Sequence, residues 1–382
     1  MQVRKRLRLA LENIVLFLLA VGLMTYGIRL LLDDNDVNSK ATWSPFRLKR
    51  SIADEELQLI AKDVAVVRGV LDRRKKIQQQ PVSRHNYINT VEKRCSLLRR
   101  SHADEQDADP LQHIKPGRRA LLLEHLLYND DMQVIYCALP KVASHNWRSV
   151  LLSLSDNLRH QPTYYQGVYK DANARRFKSL AELNNRNEIR MRLRTYFKYM
   201  MVRNPANRLV SLYLDKFSSL ARKSDFRSQF GNRVKQQNKL WKKYNPRLMT
   251  NYTHESGRFS YQEVMRFIAS QRPVARNEHW VPMNDLCRPC DIRYDFIGKI
   301  EEAPNSSASM MEAIGLPSTV AFPGRDSQVS YHHKAVDDKM VQEMNSLLIP
   351  AEYMAVHDVY AADYLIFDYK RSPYLSWKTN PT

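Results

Sequence analysis

Two stretches of this 382-residue chain repeat the same order of residue types. The apolar run Met132–Leu139 leads into Pro140-Lys141-Val142-Ala143-Ser144-His145-Asn146, and a helical pattern follows from Asn146 to Asn157. About sixty residues on, the apolar run Phe197–Val202 leads into Arg203-Asn204-Pro205-Ala206-Asn207-Arg208-Leu209-Val210-Ser211, with a helical pattern over Pro205–Leu220. A strand, a basic loop and a helix N-terminus together form an anion cradle. Backbone N–H groups point at the ligand, the helix dipole adds positive potential, and Lys or Arg neutralises the charge. One ligand carrying two phosphates accounts for both copies.

Further along, Ser260 and Glu263 form a capping box for a helix through Ala269. Tyr294–Lys299 reads as a strand, and Lys339–Leu348 and Ala351–Leu365 as helices. Strands alternating with helices imply an α/β fold, a parallel sheet flanked by helices, with ligands at the carboxyl ends of the strands. Both basic loops fall at such ends.

Charge narrows the partners. Lys and Arg number 60 against 40 Asp and Glu, a net +20, which points to a polyanion: nucleic acid, anionic membrane or acidic polysaccharide. The N-terminus chooses among these. Arg4-Lys5-Arg6-Leu7-Arg8 precedes an apolar run from Ile14 to Ile28, and Asp33, Asp34 and Asp36 follow it. A span of about 20 residues crosses a bilayer, and positive charge stays cytosolic. A cleaved signal peptide competes, but no small-x-small site follows Ile28. The reading is a cytoplasmic tail at 1–9 and a single-pass type II signal anchor at 10–32. A lumenal stem at 33–115, a catalytic domain at 116–372 and a tail at 373–382 follow, and nucleic acid is not a partner. Leu57, Ile60, Val64, Val67 and Leu71 have helical spacing within the stem, and their heptad-like pattern leaves homodimerisation open. Asn251-Tyr252-Thr253 and Asn305-Ser306-Ser307 are glycosylation sequons that fit lumenal exposure. The four cysteines, Cys95, Cys137, Cys287 and Cys290, would pair in an oxidising lumen in one of three connectivities. No second C-x-x-C completes a metal set, and no metal is expected.

The first loop lacks the G-x-x-x-x-G-K-[ST] of nucleotide triphosphatases, since no Gly lies between Gly117 and Gly167. Its early Lys followed by small residues and Ser144 resembles the 5′-phosphosulfate loop of sulfotransferases that use 3′-phosphoadenylyl sulfate. Arg203 and Ser211, eight positions apart, resemble the 3′-phosphate site of the same enzymes. A third block, Glu278-His279-Trp280-Val281-Pro282 with Leu286-Cys287-Arg288-Pro289-Cys290 and Tyr294–Glu301, resembles the signature of Golgi carbohydrate sulfotransferases. The group is the one that sulfates chondroitin, dermatan, terminal N-acetylgalactosamine and the HNK-1 glucuronic acid. The resemblance covers roughly residues 130 to 370 and closes on Asp363-Tyr364-x-x-Phe367-x-Tyr369. It departs at His145, where the family usually has Ser or Thr.

The resemblance implies a P-loop-like nucleotide-binding sulfotransferase fold in the Golgi membrane, preceded by a transmembrane helix and stem. It also implies 3′-phosphoadenylyl sulfate as co-substrate and a glycan or proteoglycan acceptor, with the 4-hydroxyl of N-acetylgalactosamine as target. Pro140–Asn146 and Arg203–Ser211 are carried over as the nucleotide site, with Lys141 stabilising the departing phosphate. Trp147 and Leu209 are expected in the core. His279 is the first choice for the base that takes the acceptor proton, followed by His145 and Glu278. Arg208, Arg276 and Arg288 are candidates to meet acidic sugars. The alternative is a catalytically inactive membrane-anchored binder of acidic polysaccharide.

Overall fold

Among the described residues, five strands form one sheet in the order β3–β1–β2–β4–β5. They are β1 (Leu126–Asn129), β2 (Val134–Cys137), β3 (Lys178–Ser179), β4 (Phe197–Val202) and β5 (Phe296–Lys299). The structure is a computed structural model that describes residues 85–98, 109–130, 132–152, 178–218, 225–245, 259–303, 305–314, 322 and 336–371. All of these belong to the unit Val66–Thr382, so the expected anchor at 10–32 and the 57–71 helix lie outside them, as does Asn251. No helix among the described residues is long and apolar enough to cross a membrane.

The sheet is mixed, which corrects the expectation of a purely parallel one. β2, β4 and β5 are parallel, with Val134 opposite Phe197 and Val202 opposite Lys299. β1 instead runs antiparallel to both β2 and β3. The sequence conceals β1 because helix α2 (Pro116–His125) passes into it without a break. Leu121–Leu123 and Leu126–Tyr128 are separated only by Glu124 and His125, so helical and strand periodicity cannot be told apart over this short stretch.

β4 is buried along its whole length, as a central parallel strand must be. Lys198 is tolerated there because its ammonium donates to the Tyr196 carbonyl at 2.9 Å and to Asp295 at 3.1 Å. At β5, a Cβ on Gly298 would lie 2.8 Å from the Met201 side chain, so only glycine fits there without displacing that side chain. The expected helix at 351–365 divides at Tyr360 into Pro350–Val359 and Ala361–Ile366.

Among the described residues two apolar cores result. One surrounds the sheet and includes Trp147, Tyr136 and Tyr199. The other joins the helices α5 (Pro205–Lys216), α6 (Asp225–Tyr244) and α7 (Tyr261–Ser270) around Trp280. Trp147 and Leu209 are buried as expected. Within the range read as stem, helix α1 (Ile88–Leu98) puts Val91 and Cys95 into the sheet core, and Tyr87 N–H donates to the Ile297 carbonyl.

Of the three connectivities the cysteines allow, the fold selects Cys95–Cys290 and Cys137–Cys287, separated by 195 and 150 residues. The second joins the last residue of β2 to the signature block, a few positions before the first basic loop. Closing a loop this long removes on the order of 5 kcal/mol of unfolded-chain entropy at the theoretical limit. A Cys137→Ala/Cys287→Ala variant should therefore lose about 2–5 kcal/mol in denaturant unfolding. An unchanged midpoint would mean that the bridge contributes no stability.

Candidate functional site

The parallel strands deliver three loops to one edge of the sheet: Pro140–Ala143 after β2, Arg203–Asn204 after β4 and Ile300–Glu302 after β5. Helix α3 (Ser144–Leu152) rises directly from the first. The N–H groups of its opening residues have no intrahelical acceptor, while Trp147 N–H already bonds the Ala143 carbonyl. Lys141 and Ala143 adopt left-handed backbone, with φ of 70° and 60°. Such residues cost about 1–3 kcal/mol each and persist where their surroundings hold them. Here the surroundings are two arginines. Arg203 donates from Nη1 to the Lys141 carbonyl at 3.1 Å, and Arg208 from Nε to the Pro140 carbonyl at 3.1 Å.

Lys141 is half-buried and its ammonium lies 3.0 Å from Asp215. Burial pushes the Lys141 amine below its ordinary value, and the Asp215 pairing opposes this. Burial would raise the Asp215 carboxyl, but Lys141 and Lys216 beside it hold it below the usual range. Lys216, 3.2 Å from the same carboxylate, is a second cation that the sequence reading did not select.

The second cradle works differently from the first. Pro205 has no N–H, Ala206 N–H is capped by the Asn204 side chain at 3.0 Å, and Asn204 N–H is taken by Glu301 at 2.7 Å. The leading N–H groups of α5 are thus largely occupied, which corrects the expectation of a backbone anion cradle here. What the segment presents is side chains, Arg203 and Ser211, both partly exposed. Pro205, Ala206, Leu209 and Val210 are buried, and Asn207 is turned toward Asp338. In the first loop Val142 is buried while Ala143, Ser144 and Asn146 are partly exposed. The side chain of His145 lies outside the described residues.

Arg208 cannot meet a sugar. It is fully buried, donating to the Pro140 carbonyl, to Val281 at 2.6 Å and to Glu278 at 3.0 Å. Arg288 is likewise engaged, 2.8 Å from Asp291. Arg208 therefore ties the first loop to the signature block. That block is fixed from other sides too: Tyr360 donates to the Trp280 carbonyl, and Trp280 to Gln271 at 2.7 Å. Asp363 accepts from the N–H groups of Met283 at 2.7 Å and Asn284 at 2.8 Å.

So anchored, residues 277–279 build a small acid–base array. His279 Nδ1 lies 2.9 Å from Asn277 Oδ1 and 3.4 Å from Glu278 Oε1. The Asn277 acceptor assigns the proton to Nδ1 and leaves the Nε2 lone pair for a substrate hydroxyl. Burial drives the imidazole down to about 4, against the pull of Glu278, and the charges of Lys216, Arg208 and Lys141 lower it further. Glu278 accepts from a residue the sequence reading missed, His125 at the end of α2, with Nε2 at 3.2 Å. That hydrogen bond holds the Glu278 carboxyl below its usual range. The other ring nitrogen of His125 faces the Leu121 carbonyl at 2.9 Å. Nothing in sequence spacing marks His125, because β1, which follows it, was itself concealed. Among the described residues, no three His, Cys, Asp or Glu side chains gather as a metal site. Asn305 is exposed at the start of its helix, with Ser306 and Ser307 buried.

Two outcomes test this geometry. Arg208→Met should destabilise the fold by about 3–5 kcal/mol, because it leaves three buried carbonyls unpaired; full stability in denaturant unfolding would refute the clamp. The second concerns pH. His279 and His357, the latter packed between Tyr353 and Tyr364, are both depressed to about 4 by burial. Above about pH 6.5 neither state is charged and their contribution is intact. As pH falls toward 4 the unfolded chain takes up protons that the folded chain refuses. Stability should then fall by about 2 kcal/mol per ring between pH 6.5 and 5. His357→Phe should flatten that slope in urea unfolding, and an unaltered slope would exclude His357.

Residues 124–370 match the sulfotransferase family. The chain is 34% identical over 216 residues to carbohydrate sulfotransferase 14 of Danio rerio, 56% of this chain and 54% of that one. It is 30% identical over 268 residues to carbohydrate sulfotransferase 11 of Mus musculus, 66% of this chain and 69% of that one. With carbohydrate sulfotransferase 9 of Homo sapiens the identity is 28% over 260 residues, 66% of this chain and 54% of that one. The chain spans about half the length of the first of these relatives. No solved structure matches it.

Proposed function

The chain belongs to the sulfotransferase family, and from that premise we propose that it moves the sulfuryl group of 3′-phosphoadenylyl sulfate onto a glycan hydroxyl. The proposed target is the 4-hydroxyl of N-acetylgalactosamine in chondroitin- or dermatan-type chains. The observation that carries this reading is the adjacency of two phosphate-type loops on neighbouring parallel strands, coupled by the Arg203 bond to the Lys141 carbonyl at 3.1 Å. Relatives named as carbohydrate sulfotransferases support a sugar acceptor.

The residues suit the nucleotide. Ser144 and the leading N–H groups of α3, with Lys141, would hold the 5′-phosphosulfate, and Arg203 with Ser211 the 3′-phosphate. When bound, the nucleotide supplies an activated sulfuryl group. The acceptor oxygen forms the new bond to sulfur in line as the bond to the bridging oxygen breaks. Lys141 exchanges part of its Asp215 pairing for the negative charge gathering on that oxygen. His279 receives the acceptor proton at Nε2, with Asn277 fixing the ring and Glu278 stabilising the imidazolium that forms. Pairing with two cations keeps Asp215 ionised, ready to take Lys141 back.

Residues 10–32 would anchor the chain as a type II protein of the Golgi membrane with its catalytic domain in the lumen, where Asn251 and Asn305 carry glycans. The stem is the proposed place for homodimer contacts.

Lys141→Ala should abolish transfer while retaining much of the affinity for 3′-phosphoadenosine 5′-phosphate. Arg203→Ala should chiefly weaken that affinity, by about 1.5–3 kcal/mol. His279→Ala should bind nucleotide and glycan normally yet lose roughly 10²–10⁴-fold in kcat. Because His279 remains neutral down to about 4, its ionisation should add no step to kcat/KM between pH 7 and 5. Assay with labelled donor against desulfated chondroitin, calorimetry and a pH–rate profile read these outcomes. A chain that binds the glycan without the nucleotide would instead be the inactive binder.

A further inference from the structure

Helix α6 carries a row of cations on its solvent side. Arg233, Lys235, Lys239, Lys242 and Lys243 are all exposed, opposite the buried Phe230, Val234 and Asn238. Among the described residues, no carboxylate pairs with any of the five. Arginine-rich α4 (Arg186–Thr195) does the opposite: Arg190 lies 2.6 Å from Asp109, and Arg192 lies 2.9 Å from Asp130 and 3.3 Å from Glu188. The fold therefore neutralises one basic helix from within and leaves the other bare.

The bare row is ordered. Lys235, Lys239, Lys242 and Lys243 fall at i, i+4, i+7 and i+8, which puts them on one stripe of about 12 Å. Like charges at these spacings repel and oppose the helix. A solubilising face ordinarily mixes both signs, whereas a bound anion would relieve this repulsion. Tyr244, 73% exposed, ends the stripe, with the Lys243 ammonium 5.8 Å from its ring centre.

The other end of α6 reaches the candidate site. The Phe226 ring lies 4.7 Å from the His279 ring and 6.3 Å from Trp280, and the Lys216 ammonium lies 5.1 Å from the centre of the Phe226 ring. From this point the helix runs for 20 residues, about 30 Å. We propose that the exposed face of α6 is the track for a polyanionic polysaccharide, bearing carboxylates or sulfates along its length, whose reacting sugar lies at His279. The last clause rests on the sulfotransferase reading; the track itself rests on the charge pattern.

The test uses the full chain carrying Lys235→Gln, Lys239→Gln and Lys243→Gln, with fluorescently labelled chondroitin polymer as probe. A control carries Lys93→Gln, Lys115→Gln and Lys339→Gln, three exposed lysines away from α6. The α6 variant should bind the polymer about ten-fold more weakly at low salt and depend less steeply on added salt. The control should stay within about two-fold of the parent. Nucleotide binding, which reports an intact fold, should be unchanged in both. Unchanged polymer affinity in the α6 variant overturns the track, as does an equal loss in the control, which would mean net charge alone. The track is also overturned if the parent ignores the polymer while binding phosphatidylserine vesicles through these lysines. Polymer bound through α6 by a chain that takes no nucleotide would support the track and end the sulfotransferase reading. Nucleotide bound with no role for α6 would do the reverse.

Discussion

One buried guanidinium organises the site. Arg208 leaves α5 and donates to carbonyls of the first basic loop and, twice, of the signature block. A guanidinium suits this because it is always charged and presents a rigid fork of donors, where an ammonium would act as a single point charge. Burial penalises its charge, and three carbonyl acceptors with Asp363 nearby offset the penalty. The left-handed Lys141, the fixed Pro140 and the position of His279 relative to Lys141 all depend on this clamp. The Cys137–Cys287 bridge repeats the same connection covalently.

Electrostatics then divides the titratable groups by task. A neutral imidazole serves as a proton acceptor only while its lone pair is open, and at His279 burial and three nearby cations keep it so. Glu278 and His125 form an ion-pair-like support behind it. On the other side Asp215 holds two lysines. Two of these cations, Lys141 and Lys216, thus add to burial in keeping His279 unprotonated. A low basicity would weaken proton abstraction from a resting hydroxyl. It suits a reaction in which the proton leaves as the oxygen bonds to sulfur.

Much of the fold, and the placement of the two basic loops, is legible in the sequence. Lys141 and Arg203 were marked by their position after apolar runs, and Ser211 by its distance from Arg203. β4, the capping box at Ser260 and the buried Trp147 followed from local pattern. The reading faltered where local pattern is ambiguous or where a partner is remote. β1 is hidden because it continues α2 directly, and with it the antiparallel half of the sheet and the approach of His125 to Glu278. Arg208 resembled a ligand contact because a basic residue in a basic loop gives no sign of which carbonyls lie above it. Glu301 beside Asn204 is likewise a meeting of residues 97 positions apart.

By itself, the sequence determined the repeated strand–loop–helix device, the excess of positive charge and the family, because these depend on residues close together along the chain. Only the tertiary structure decided which arginine stays partly exposed and which is buried as a clamp, which cysteines pair, and that one basic helix is paired with carboxylates while α6 is not. Each of those outcomes turns on burial and on partners brought together from distant segments. Periodicity and spacing carry no information about the dielectric around a side chain or the oxygen it faces.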